Sequence, residues 1–169
     1  TVSSITNGYS VSFTPPSALK DGSHTISVNV EDNDGNKATS ASVSFTTDTV
    51  APTMSVTNPA TNGTFTSESA LNVTGTVSDS TSGTPVVKIT VNGTDVGTVT
   101  VSNGSFSKGV TLVNGSNTIV VTATDLAGKV TTITRTITLD TSAPVVASIA
   151  ITPNPVNVGA NYTVTITVS

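Results

Sequence analysis

A chain of 169 residues has room for one domain of ordinary size or a small pair. Its net charge of −4 and its six Lys and Arg exclude the clustered basic surface that nucleic acid or an anionic membrane requires, and no apolar run approaches the ~18 residues of a membrane-spanning helix. Cysteine is absent, which removes disulfides, thiolate metal sites and cysteine nucleophiles together.

Charged residues make up 9% of the chain, against about 25% in an average globular protein. Thr, Ser, Val, Asn and Gly take their place, and Val and Ile alternate with Thr and Ser. That alternation describes half-buried strands rather than a disordered linker. Thr suits the outward face of such strands because it is β-branched and still polar.

In chain order, Asn7-Gly8 marks a turn, a strand is expected over 25–30, and Glu31-Asp32-Asn33-Asp34-Gly35 forms an acidic, solvated loop. Another strand over 41–45 leads to Asp48-Thr49-Val50-Ala51-Pro52, which reads as a linker. Seven strands then follow at short, regular spacing: 53–57, 70–77, 86–91, 96–101, 106–112, 118–124 and 130–139. Turns at Thr61-Asn62-Gly63-Thr64, Asn92-Gly93, Asn103-Gly104 and Asn114-Gly115 separate them, with a longer loop over 78–85. Asn92-Gly93 is a strong hairpin signal because both central residues of a type I′ turn need positive φ.

Ile119, Val121 and Ala123, with Ile133, Ile137 and Leu139, are expected to build a core opposite Leu71, Val73, Ile89 and Val91. Phe65 and Phe106 read as core or edge packing. Arg135 shares the phase of Ile133 and Ile137, so either a bulge shifts the register there or the guanidinium reaches the sheet edge. The chain continues through 146–152, a turn at Pro153-Asn154-Pro155, and an alternating strand over 162–168.

The chain repeats itself. Asp48-Thr49-Val50-Ala51-Pro52 recurs 92 residues later as Asp140-Thr141-Ser142-Ala143-Pro144. Ahead of each copy, Asp21-Gly22-Ser23-His24-Thr25-Ile26 parallels Asn114-Gly115-Ser116-Asn117-Thr118-Ile119. Both runs continue to an acid and a glycine, Asp32 and Gly35 in one, Asp125 and Gly128 in the other. Such a period suits a complete small β-domain of about 100 residues. The expected fold is therefore all-β, a tandem of immunoglobulin-like β-sandwiches. Residues 1–49 are the C-terminal half of one domain, 50–141 a complete seven-stranded domain, and 142–169 the first strands of a further one. Neither terminal part can bury its apolar face alone, so each needs strands from elsewhere. The N-terminus carries no basic and apolar signal segment, which fits an internal stretch or a processed chain.

The run Asn114-Gly115-Ser116-Asn117-Thr118-Ile119-Val120-Val121-Thr122-Ala123-Thr124-Asp125-Leu126-Ala127-Gly128-Lys129, ending in Asp140-Thr141-Ser142-Ala143-Pro144, resembles the bacterial Ig-like repeat. Asn103-Gly104-Ser105-Phe106-Ser107 fits the same pattern. The resemblance covers essentially the whole chain. It implies the sandwich fold and an extracellular setting, in large surface adhesins or as spacers in secreted multidomain proteins. It says little about ligands, because one sandwich fold hosts many functions.

No catalytic set assembles. His24 is the only histidine, expected in a turn, and Asn117 stands at its repeat position. With no cysteine and no second histidine there is no Ser-His-Asp arrangement, and the chain reads as non-enzymatic. A self-formed isopeptide lacks its Lys and Asn on the first and last strands, and sugar stacking lacks tryptophan. Six Asn-X-Ser/Thr sequons, such as Asn72-Val73-Thr74, are largely chance in so Asn- and Thr-rich a chain.

The acidic residues hold the one candidate metal site. In an Ig-like sandwich the linker and the loops after the second and sixth strands share one end, so Asp48, Asp79 and Asp125 can converge there. Three carboxylates with loop carbonyls suit calcium, which takes 6–8 oxygen ligands. The same residues also fit plain turn chemistry, with Asp48 and Asp140 capping the turn before proline and Asp125 forming an Asx turn.

The sequence thus reads as a stalk or spacer of an extracellular, adhesin-like bacterial surface protein. Its partners are neighbouring Ig-like domains of the same chain or of adjacent subunits. Two rivals stand beside it: a filament subunit assembled by strand exchange between the partial domains, and an accessory region of a secreted enzyme or other surface protein.

Overall fold

The structure, a computed structural model, describes residues 2–5, 8–152, 154–155 and 157–168; among them every regular element is a β-strand. The chain runs β1 (Val2–Ile5), β2 (Gly8–Val11), β3 (Gly22–Val28), β4 (Ala41–Thr47), β5 (Thr53–Asn58), β6 (Thr64–Thr66), β7 (Ala70–Ser78) and β8 (Val86–Val91). It continues with β9 (Thr94–Asp95), β10 (Val101–Ser102), β11 (Ser105–Thr111), β12 (Gly115–Thr124), β13 (Val130–Leu139), β14 (Val146–Thr152) and β15 (Thr163–Val168). Asn7 and Pro153, each part of an expected turn, lie outside the described residues. No helix of the described residues is long and apolar enough to cross a membrane.

Strands β5 to β13 form two sheets, one ordered β10-β11-β7-β5 and the other β6-β13-β12-β8-β9. Their pairing is antiparallel except where β6 lies parallel to β13. This is an Ig-like β-sandwich, with alternate residues of both sheets turned inward. Val73 and Val77 from β7 and Phe106 and Val110 from β11 meet Ile89, Ile119, Val121, Ile137 and Leu139 from the facing sheet, all buried. Gly75 makes room for this packing, since a Cβ there would overlap the Ser55 carbonyl and the Phe106 ring.

Several expectations are corrected. Ile89 and Val91 do not face the sixth strand from the opposite sheet; β8 pairs directly with β12, and Ile89 sits beside Val121. The expected strand over 96–101 is broken. The chain leaves the larger sheet after β9 and joins the smaller one at β10, so 96–100 is a crossing between layers. Gly97, at φ 81°, donates its amide to Asp95 Oδ1 at 2.9 Å and makes the bend. Of the two settings expected for Phe65 and Phe106, core or edge, Phe65 takes the edge, 76% exposed on β6, and Phe106 the core. His24 lies within β3 rather than in a turn.

Arg135 resolves in favour of the edge. The β12–β13 register runs without a shift, pairing Ile119 with Arg135, and the Arg135 Nε donates to the Pro59 carbonyl at 3.2 Å. Asn92-Gly93 turns β8 into β9 with φ of 52° and 82°, the positive values that a type I′ turn requires.

The flanking strands form separate two-stranded sheets, β1-β2, β3-β4 and β14-β15. The repeat is reproduced in their register. His24 faces Phe45 as Asn117 faces Ile137, and Ile26 faces Val43 as Ile119 faces Arg135. Their apolar side chains stay open: Ile26, Val28, Val43, Ile149, Ile151, Val164 and Ile166 are all exposed.

Candidate metal centre

The linker after β4 is held from both sides. Asp21, ahead of β3, accepts the Thr49 amide at 2.9 Å and the Thr49 hydroxyl at 3.0 Å. On the far side, Thr131 of β13 donates its hydroxyl to the Pro52 carbonyl at 2.6 Å. Asp48 is thereby placed against the end of the sandwich where the 79–85 loop and the β12–β13 turn emerge.

The structure brings Asp48, Asp79 and Asp125 together. One carboxylate oxygen from each lies within 4.8 Å of the others. Each acid also performs the turn chemistry that its sequence context suggests. Asp48 Oδ1 accepts the Val50 amide at 3.1 Å, and Asp125 Oδ1 accepts the Lys129 amide at 2.8 Å. Asp79 Oδ1 accepts the Thr81 amide at 2.8 Å, the Ser82 amide at 2.7 Å and the Ser82 hydroxyl at 3.1 Å. The Ser82 amide first, then that of Thr81, holds the Asp79 carboxyl below the ordinary carboxylate range, so it is anionic at neutral pH.

Turn chemistry accounts for one oxygen of each acid and leaves the other. Asp48 Oδ2 and Asp125 Oδ2 are both buried without a hydrogen-bond partner, and Asp125 as a whole is only 7% exposed. Buried carboxylate oxygens ordinarily find donors, because the desolvated charge is otherwise uncompensated. The ion pairs among the described residues, Lys37 with Glu31 and Lys88 with Asp95, lie elsewhere. An open cleft of about 330 Å³ adjoins Asp48, lined by Thr46 and Asp48 together with Thr81, Ser82 and Leu126.

The second acidic run is different. Asp32 takes both its oxygens into its own turn: Oδ1 accepts the Asp34 and Asn36 amides at 3.0 and 2.8 Å, and Oδ2 accepts the Asn36 side-chain amide at 2.8 Å. Glu31 pairs with Lys37. The repeat position of Asn36 holds Lys129 in the sandwich, and that exchange leaves Asp125 Oδ2 without its donor. The internal repeat carried this signal, since aligning Asp32 with Asp125 also aligns Asn36 with Lys129.

Sequence reasoning also missed Asn117, fully buried at the start of β12. Its Nδ2 donates to the Val113 and Gly115 carbonyls at 2.7 and 2.9 Å, and its Oδ1 accepts the Val113 amide at 2.9 Å. His24 plays the matching part in the first repeat, its Nε2 lying 2.7 Å from the Lys20 carbonyl. Both side chains close the turn ahead of a long strand.

Two family profiles agree with this architecture. The glucodextranase domain B profile matches residues 52–141, and a bacterial Ig-like domain profile matches residues 2–49. Bacillopeptidase F of Bacillus subtilis (strain 168) is 32% identical over 131 residues, 78% of this chain; the chain spans 9% of that protein's length. Among solved structures, the fibronectin(III)-like modules of Clostridium thermocellum CbhA are 22% identical with a TM-score of 0.48, over 72% of this chain and 64% of theirs. A tetra-tandem repeat from the extending region of a large adhesion protein is 24% identical with a TM-score of 0.47, over 94% of this chain and 48% of its own. Through residues 52–141, more than half its length, the chain belongs to the glucodextranase domain B family, and residues 2–49 match a bacterial Ig-like domain profile.

Proposed function

We propose that the chain is a spacer segment of an extracellular bacterial protein, holding the regions on either side of it at a set distance. The units are residues 1–49, 50–141 and 142–169, joined by the repeated Asp-Thr-X-Ala-Pro linker. The observation that carries this reading is the linker itself. It recurs at the period of one domain and is tied at Thr49 to the strands before it and at Pro52 to the sandwich after it. A joint tied on both sides transmits orientation, and an array in which each unit contacts its neighbours behaves as a rod with limited bending.

A second reading, in which the units are accessory to a secreted enzyme, is favoured by the stretch shared with Bacillopeptidase F and by a family named for a glucodextranase. Both readings share the spacer mechanism and differ in what is being spaced.

Excision or duplication of residues 50–141 in the parent protein tests the proposal. Each unit should change reach by about 35 Å, the length of a ten-residue strand such as β12. The flanking regions should keep their affinity or kcat/KM. A loss of more than about tenfold in either, roughly 1.4 kcal/mol, would show that the unit itself binds or catalyses.

A further inference from the structure

We infer that Asp48, Asp79 and Asp125 form a calcium site that fastens the 48–52 linker onto the loops at one end of the 52–141 sandwich. The inference concerns this joint alone and stands whether or not the spacer reading holds.

Three observations carry it. The first is the pair of orphaned oxygens: Asp48 Oδ2 and Asp125 Oδ2 are buried, lack a donor, and belong to a trio of acids that offer oxygens within 4.8 Å of one another. Like charges so close repel, and a shared cation turns that repulsion into attraction. The second is distance. Two oxygens on one calcium ion, each at about 2.3–2.6 Å, lie up to about 5 Å apart, so the observed spread fits a common ion. The ligands are hard oxygens with no imidazole or thiolate among them, which suits calcium over zinc or copper. Beside the trio, an open cleft is lined by Asp48 and by Thr81 and Ser82 of the loop that Asp79 begins.

The third observation is a control inside the chain. Asp32 makes the same turn as Asp125, with the Asn36 amide satisfying the oxygen that Asp125 leaves bare. Asp140 repeats Asp48, accepting the Ser142 amide at 2.9 Å, but it is exposed and neither of its oxygens is a buried orphan. Only at the 48/79/125 cluster do the repeat's acids meet with oxygens to spare among the described residues.

Calorimetric titration of the chelator-treated chain with calcium chloride tests this, with amide exchange at Thr49 and Val50 recorded alongside. One ion per chain should bind, and exchange at those linker amides should slow. Asp48→Asn and Asp125→Asn should each weaken binding at least tenfold, while Asp32→Asn and Asp140→Asn leave it unchanged. Should Asp125→Asn fail to fold, Asp48→Asn still carries the test, because Asp48 lies outside the sheets. Absence of uptake up to millimolar calcium would overturn the inference. So would uptake that Asp48→Asn leaves unaltered.

Discussion

Ile26 and Ile119 occupy the same place in the repeat, each opposite the matching residue of the next strand, yet Ile26 is 52% exposed and Ile119 is fully buried. The pairs β3–β4 and β12–β13 share alternation, turn acids and register. What separates them is a second layer. The β12–β13 strands lie in a five-stranded sheet faced by β7 and β11, whereas β3–β4 stands as two strands among the described residues. Alternation therefore specifies pairing, and burial needs a facing sheet. The same contrast reaches the turns, where Asp32 is satisfied within its own loop and Asp125 keeps one buried oxygen without a donor.

The comparison predicts unequal costs for equal changes. Ile119→Ala should destabilise by about 2–5 kcal/mol, as large-to-small changes at buried sites do. Ile26→Ala should stay within about 0.5 kcal/mol, as exposed positions do. Urea unfolding of the full chain reads both, and similar costs at the two sites would erase the distinction. Asn117→Ala should cost about 1–3 kcal/mol, because the fully buried Asn117 side chain ties the Val113 amide and the Val113 and Gly115 carbonyls. His24→Ala, whose contacts are more open, should cost less than half as much. Gly75→Ala should cost at least about 1–3 kcal/mol through overpacking, because a Cβ there overlaps the Ser55 backbone carbonyl first and the Phe106 ring second.

The smallest effect is electrostatic. The Asn36 side-chain amide first, then the Asn36 backbone amide, holds the Asp32 carboxyl below its ordinary value. A carboxyl depressed in the folded state contributes stability above the unfolded value of about 3.9, and that contribution is lost as pH falls through the folded value. Acid should therefore loosen the turn between β3 and β4 only below about pH 4. Asn36→Ala should raise the Asp32 midpoint in a carbon-detected NMR titration; an unmoved midpoint would mean that the amide contact is not formed in solution.

Much of this architecture was legible in the sequence. The repeat, the Asn-Gly turns and the alternating strands are local signals, and each follows from backbone conformation or side-chain period. What was not legible depends on the third dimension. A strand over 96–101 looks continuous by composition, but Gly97 bends the chain from one sheet to the other. Phe65 is hydrophobic enough for a core, yet the parallel pairing of β6 with β13 leaves it on the rim. For the acidic cluster, the shared end of Asp48, Asp79 and Asp125 could be argued from loop order alone. Which oxygens remain bare was legible only in part: the repeat shows the Asn36-to-Lys129 exchange, but how tightly each turn closes depends on the folded backbone.

Single-molecule force spectroscopy, pulling the full chain from its two ends, shows which part of it resists load. If 52–141 is the closed, load-bearing unit, one dominant unfolding event should release about 90 residues at ~3.6 Å each, less the ~35 Å folded length, a gain of roughly 290 Å. The flanking strand pairs should extend at low force before it. Several events of comparable force and shorter length, or no discrete event, would show that 52–141 is not a single closed unit.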